Sequence, residues 1–163
     1  MKEQFAKRYH IRLGLAPTRR ATFSDTAFRL DEAQKAKQAI QQKLRDMGVD
    51  FVDIEFLNEE GLLYAGGDAK KVADYFAEKE IDALFLPHVN FGCEEAVSRL
   101  AALVKKPVLL WAPRDEAPQP EGYRYRDAQC GLFATSKVLM RFGVPFTYLT
   151  NCQFEFEDVN VFR

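Results

Sequence analysis

The sequence has little of what marks several protein classes. Three cysteines occur in 163 residues, Cys93, Cys130 and Cys152, and none forms a C-x-x-C pair. This spacing disfavours a disulfide framework and matches no common zinc pattern. No apolar stretch is long enough to span a bilayer, and no apolar leader-like segment follows Met1. We therefore expect a reduced cytoplasmic protein with no membrane association.

Charge of one sign and phosphate-binding loops are also missing. Lysine and arginine total 23 against 24 acidic residues, a net charge of -1, so no basic field predicts a nucleic-acid partner. No G-x-G-x-x-G or Walker loop follows the first predicted strand, where Pro17-Thr18-Arg19 stands instead. Common dinucleotide and nucleoside triphosphate sites are therefore disfavoured. Pro87-His88 likewise replaces the acidic strand end that is typical of response regulators.

The chain does have a regular alternation of short apolar runs and longer amphipathic ones. Hydrophobic residues make up 47% of the sequence, enough for one domain with a real core. The alternation predicts parallel strands covered by helices. The predicted strands are residues 10–16, 51–56, 83–87, 108–113 and 146–150, and the predicted helices are residues 25–47, 69–79, 94–105 and 127–142. Ser24 or Asp25 is the expected cap of the first helix, whose apolar positions start at Ala27.

These elements predict an α/β fold, a flavodoxin-like or Rossmann-like three-layer sandwich. Its five-stranded parallel sheet is expected in the order 2-1-3-4-5. Residues 1–153 form this single domain. Residues 154–163 interleave apolar and acidic side chains, and we expect this tail to lead toward a domain that is absent from the chain. The alternative is an ordinary C-terminal segment that docks on this domain.

Polar residues follow the ends of the predicted strands, where open parallel sheets bind ligands. Arg19 and Arg20 follow the first strand, and a guanidinium can bind carboxylates, phosphates or vicinal hydroxyls. His88, Asn90 and Phe91 follow the third strand and offer an imidazole, an amide and a flat apolar face. The alternatives are arginines paired within the domain, a histidine that caps its loop and a phenylalanine that fills a crevice.

A charged triplet, Arg114, Asp115 and Glu116, follows the fourth strand. It is a candidate acid–base cluster by residue type. The carboxylates are also possible partners of the two arginines on the first loop. We favour the interpretation that the three side chains pair with one another, or with a neighbouring subunit, at the edge of a site.

Cys93 and Cys130 lie near predicted helix N-termini, an environment that lowers a thiol pKa. His88 is the only nearby candidate base, so a cysteine-dependent hydrolase or amidotransferase is a weak alternative function. Small buried thiols are the favoured interpretation.

Four motifs together resemble the N-terminal domain of L-fucose isomerase-like proteins, relatives of the L-fucose and L-arabinose isomerases. They run in order along nearly the whole chain, each at a strand end: GLAPTRR at 14–20, LPHVNFG at 86–92, WAPRDEAP at 111–118 and RDAQCGLFA at 126–134. Members of that family are much longer and build a divalent-metal site, usually Mn²⁺, from carboxylates and histidine in later domains.

The resemblance implies aldose–ketose isomerisation by an ene-diol route in the full-length enzyme, a homo-oligomer in which the first domain closes over a neighbour's active site. It implies that Arg19, Arg20, His88, Asn90 and Phe91 bind the sugar and that none of them is the acid or base. This chain would hold no cofactor, no metal ligand and no catalytic residue, and would be inactive alone. The competing function is a stand-alone sugar- or anion-binding regulatory module of the same fold.

Overall fold

A computed structural model describes residues 10–22 and 27–149. Several sequence predictions fall outside these residues. They are the cap of the first helix at Ser24 or Asp25, the last residue of the strand predicted at 146–150, Cys152, and the tail 154–163.

The described residues form a five-stranded sheet with four α-helices. The strands are β1 (Arg12–Leu15), β2 (Asp50–Val52), β3 (Ala83–Pro87), β4 (Val108–Trp111) and β5 (Thr147–Leu149). The helices are α1 (Leu30–Asp46), α2 (Ala69–Glu78), α3 (Glu94–Val104) and α4 (Ala128–Arg141), and a short 3₁₀ turn, Gly66–Asp68, precedes α2. No described helix is long and apolar enough to cross a membrane.

Every strand pairing is parallel, and the strand order is β2-β1-β3-β4-β5. This confirms the predicted α/β class, the three layers and the order 2-1-3-4-5. In this order β1 and β3 are neighbours, with Leu13 beside Ala83 and Leu15 beside Phe85. The loops that leave their carboxyl ends therefore begin side by side.

Successive side chains of a strand point to opposite faces of the sheet, so the central strands contribute to two separate cores. On one face, α1 buries Ala33, Ala36, Ile40 and Leu44 against Phe85. The opposite core lies between the sheet and α2, α3 and α4, and its strand residues include Leu84, Leu86 and Leu110. Burial on both faces explains why the central strands are continuous apolar runs rather than alternating ones.

Several predicted boundaries differ from the structure, and two of them differ by more than two residues. The first helix begins at Leu30, because Phe28 has a φ of 53° and Arg29 an extended ψ of 135°, so Ala27 is not helical. The second strand ends at Val52, and a hydrogen bond from the Leu57 N–H to the Ile54 carbonyl turns the chain there. Apolar side chains lie just before α1 and just after β2. The sequence pattern therefore predicted longer elements than the backbone forms.

Candidate functional site at the carboxyl edge of the sheet

Thr18 ties together three loops at the carboxyl edge. Its backbone N–H donates to the Pro87 carbonyl at 2.9 Å, and its carbonyl accepts from the Val89 N–H at 3.0 Å. The hydroxyl donates to the Leu63 carbonyl at 2.8 Å and accepts from the Cys93 N–H at 3.0 Å. Thr18 is fully buried. One residue, through its backbone and its hydroxyl, thus sets the spacing between the loops that follow β1, β2 and β3.

Asn90 holds the first and third of these loops against each other. Its Oδ1 accepts from the backbone N–H of Arg20 at 2.8 Å and of Gly92 at 3.2 Å. Its Nδ2 donates to the Phe28 carbonyl at 3.2 Å. The residue is fully buried, and an unsatisfied amide there would cost about 1–3 kcal/mol per group. Asn90 fixes the backbone position of Arg20.

Arg19 is buried and engaged. Its Nε and Nη2 bind the Glu60 carboxylate, the latter at 2.9 Å, while Nη1 donates to the carbonyls of Arg20 and Ala21. The guanidinium carbon lies 3.7 Å from the centre of the Tyr64 ring. The side chain is only 4% exposed. Its partner is therefore Glu60, and the expectation that Asp115 or Glu116 pairs with it is wrong.

Arg20, Phe91 and Glu94 form the solvent-facing part of the site, and we name these three residues the Arg20 rim. Arg20 Nη1 donates to Glu94 Oε2 at 2.9 Å, and the two side chains are 37% and 33% exposed. The guanidinium carbon lies 5.0 Å from the centre of the half-buried Phe91 ring, and the Phe28 ring meets that ring edge-on. The rim combines a cation, a carboxylate and an aromatic surface.

His88 lies beneath the rim and is fully buried. Its Nε2 shares a hydrogen bond with Thr135 Oγ1 at 2.8 Å, while Nδ1 has no hydrogen-bond partner among the described residues. Burial lowers the pKa of His88 from 6.5 to about 4, and the carbonyls of Leu86 and Trp111 only partly oppose this shift. The imidazole is therefore neutral at pH 7 and joins β3 to α4.

Two glycines permit the close packing around His88. A Cβ at Gly92, whose φ is +79°, would lie 2.5 Å from His88 Cδ2. A Cβ at Gly131 would lie 1.6 Å from the Phe91 carbonyl oxygen, so α4 approaches the β3–α3 loop more closely than any other residue type allows. The conformation of the Phe91 loop depends on this contact.

The charged triplet after β4 has a structural arrangement that the sequence did not reveal. Asp115 accepts from the N–H groups of Ala128 and Gln129, at 2.8 and 3.1 Å, and so caps α4. Glu116 pairs with Arg126 at 3.0 Å. Asp115 and Glu116 therefore bind the segment that begins α4 rather than Arg114, because that segment offers unpaired N–H groups and a cation. Pairing of the triplet with a neighbouring subunit stays a prediction.

The pKa shifts of the two carboxylates reflect these contacts. Burial raises the pKa of Asp115, against the opposing hydrogen bonds from α4. Burial also acts to raise the pKa of Glu116, but hydrogen bonds from its own backbone, from Arg126 and from Tyr125 outweigh it and leave that pKa lowered. Both side chains fasten α4 to the sheet edge.

The expectation of small buried thiols is wrong, because Cys93 is half-buried and Cys130 is exposed. The cysteines also do not form a nucleophile site with His88. A hydrogen bond with Asp127, together with burial, raises the pKa of Cys130, which is opposite to the expected effect of a helix N-terminus. His88 is fully buried, with its Nε2 bonded to Thr135, and so does not reach a substrate as a base. Within residues 10–22 and 27–149, no group of three or more His, Cys, Asp or Glu side chains could hold a metal ion. These residues do not fit the Mn²⁺ site that the family resemblance implies.

The structure thus brings all five predicted sugar-binding residues to one edge, but it divides them by depth. Arg20 and Phe91 reach solvent, whereas Arg19, His88 and Asn90 are buried. Sequence reasoning missed three of their partners, Glu60, Tyr64 and Thr135. For Thr135 a signal existed, since it lies at helical spacing from the buried Leu132 and Leu139. Glu60 and Tyr64 lie in an irregular loop whose pattern predicts no contact.

The comparisons with known proteins agree with this architecture. A family model described as "Fucose/sulfoquinovose isomerase, N-terminal domain" matches residues 14–162, nearly the whole chain. No curated protein and no solved structure matches the sequence. The match spans all four motifs and every element of the sheet edge. The chain therefore belongs to the fucose/sulfoquinovose isomerase N-terminal domain family.

Proposed function

We propose that this chain is the substrate-covering first domain of a metal-dependent aldose–ketose isomerase. The family match over residues 14–162 carries this proposal. The Arg20 rim supports it, because it gathers hydrogen-bonding and apolar groups at the sheet edge where open parallel folds bind ligands. In the full-length enzyme the rim would close over a sugar held elsewhere, contact its hydroxyls and exclude water.

In this role the five residues divide into two groups. Arg20 and Phe91 contact the sugar directly, as a hydrogen-bond donor and an apolar surface. Arg19, His88 and Asn90 act from beneath by fixing the loops, since their polar atoms are turned to Glu60, Thr135 and the backbone. The proton transfers and the Mn²⁺ ligands belong to segments outside this chain.

The charges on the rim weaken the competing function of a stand-alone anion-binding module. Glu60 neutralises Arg19, and Glu94 neutralises Arg20. An anion would have to displace a carboxylate from each cation and would lose the energy of that ion pair. The site therefore favours neutral ligands over anions. The cysteine-dependent alternative lacks an accessible base among the described residues, because His88 is fully buried.

Four large apolar side chains on or next to α4 and β5 are exposed, which supports association of copies of the enzyme. Phe133, Met140, Phe142 and Tyr148 are 65%, 73%, 53% and 51% exposed. Exposed clusters of large apolar side chains mark interaction surfaces. We assign this surface to a subunit contact in a homo-oligomer. Met140→Lys in the full-length protein should then lower the molar mass measured by sedimentation equilibrium, and an unchanged mass would refute the assignment.

The proposed reaction is tested with the full-length protein that contains this chain. Purified enzyme is incubated with aldoses and Mn²⁺, and ketose formation is followed by NMR in ²H₂O. We expect ketose to form in the full-length protein and to be absent for residues 1–163 alone. Ketose formation by the short chain, or none by the full-length protein with any aldose, would refute the proposal.

A further inference from the structure

The charge balance at the Arg20 rim bears on which of the two sugars in the family description this chain accepts. L-Fucose is neutral, whereas sulfoquinovose carries a sulfonate. The cations of the β1 and β3 loops and of α3 are each paired: Arg19 with Glu60, Arg20 with Glu94, and Arg99 with Glu95. Each of these three cations already has a carboxylate partner, so none of the three offers an unneutralised charge to a sulfonate.

The hydrogen-bonding groups of the rim fit a pair of sugar hydroxyls. Only Nη1 of the Arg20 guanidinium is used by the described residues, so Nε and Nη2 remain as donors. Glu94 accepts through Oε2 and retains Oε1 as an acceptor. A hydroxyl is both donor and acceptor, so neighbouring hydroxyls satisfy Arg20 and Glu94 at once. A sulfonate only accepts, and it would meet the Glu94 carboxylate as a like charge.

Phe91 adds to the same preference. Its half-buried ring lies against the Arg20 guanidinium and presents an apolar surface beside the ion pair. Contact with such a surface costs the methyl group of a 6-deoxy sugar little desolvation free energy. A sulfonate in the same place would give up its hydration, which costs much more.

We infer that Glu94, through its pairing with Arg20, makes this site selective for a neutral aldose over a sulfonated one. The inference rests on the proposed function and names the substrate class of that site. Glu94 acts as a specificity residue that keeps the Arg20 cation neutralised. Rejection of the wrong ligand by a like charge is a common route to specificity.

The test compares L-fucose with sulfoquinovose on the full-length protein, by kcat/KM and by the Kd from calorimetry. The wild-type protein should favour L-fucose by at least about tenfold in both quantities. Glu94→Gln, which keeps the side-chain shape, should reduce this ratio by at least about fivefold. Glu95→Gln is the matched control, because Glu95 lies in the same helical turn but pairs with Arg99. Its ratio should stay within about twofold of the wild type.

The outcomes separate the inference from the proposed function. Equal or better use of sulfoquinovose by the wild type, or a ratio that Glu94→Gln leaves unchanged, overturns the inference and leaves the isomerase intact. Only failure with every aldose refutes the proposed function. If neither sugar is turned over, the two Kd values decide the inference. Absence of binding of both sugars overturns it as well.

Discussion

Burial of His88 should make the stability of this domain strongly dependent on pH. In the folded protein its pKa falls to about 4 because of burial, whereas in the unfolded chain it lies near 6.5. Below pH 6.5 the unfolded chain therefore takes up a proton that the folded chain refuses. The resulting loss of unfolding free energy begins near pH 6.5 and is complete near pH 4. Its full size is about 3 kcal/mol, and about 2 kcal/mol of it falls between pH 7 and pH 5.

Urea unfolding of the wild type and of His88→Gln at pH 7 and pH 5 measures this effect. The carboxylates titrate alike in both proteins, so the difference between their unfolding free energies isolates the histidine. The variant lacks the titrating group, and its disadvantage at pH 7 should shrink by about 2 kcal/mol at pH 5.

His10→Gln serves as the control, since His10 is the only other histidine and its side chain is 80% exposed. It should leave the pH dependence of the wild type in place. A gap between wild type and His88→Gln that is the same at both pH values would show that His88 is not neutralised by burial, and would refute the reasoning.

Two further changes test how the edge is held. Glu60→Gln removes the carboxylate charge that pairs with the buried Arg19 cation and should lower the unfolding free energy by about 3 kcal/mol. Glu59→Gln, on the exposed neighbour, should change it by less than about 0.5 kcal/mol, and equal melting temperatures would contradict the proposed pairing. Gly131→Ala places a Cβ 1.6 Å from the Phe91 carbonyl oxygen and should lower the unfolding free energy by about 3 kcal/mol. Gly67→Ala, whose Cβ would have no atom within 4 Å, should change that free energy by less than about 1 kcal/mol. Similar urea midpoints for the two variants would refute the close approach of α4 to the loop.

The fold was predictable because each strand is a short apolar run and each helix carries a stripe at steps of three and four. These local patterns predict the type of each element. The sheet order follows from the rule that connections between parallel strands are right-handed and do not cross one another. Boundaries were less predictable. At Phe28 a positive φ ends the helical pattern, and nothing in the neighbouring side chains announces it.

The sequence predicted which residues lie at the site but not which of them are buried. Strand ends gather at one edge, so Arg20 and Asn90 had to lie near each other. Whether a polar side chain there meets solvent or a buried partner depends on contacts between residues far apart in sequence. Arg19 meets Glu60 41 positions away, and His88 meets Thr135 47 positions away. Pairings of this kind leave no local pattern.

The central claim is that the Arg20 rim covers the sugar in an aldose–ketose isomerase. It is tested most directly by the kcat/KM of Arg20→Ala in the full-length enzyme. The control is Arg99→Ala, which removes an α3 arginine that is 55% exposed and paired with Glu95. We predict a loss of at least about tenfold for Arg20→Ala, the equivalent of about 1.4 kcal/mol of binding, and less than about twofold for Arg99→Ala. Equal kcat/KM values for the two variants and the wild type would contradict the claim.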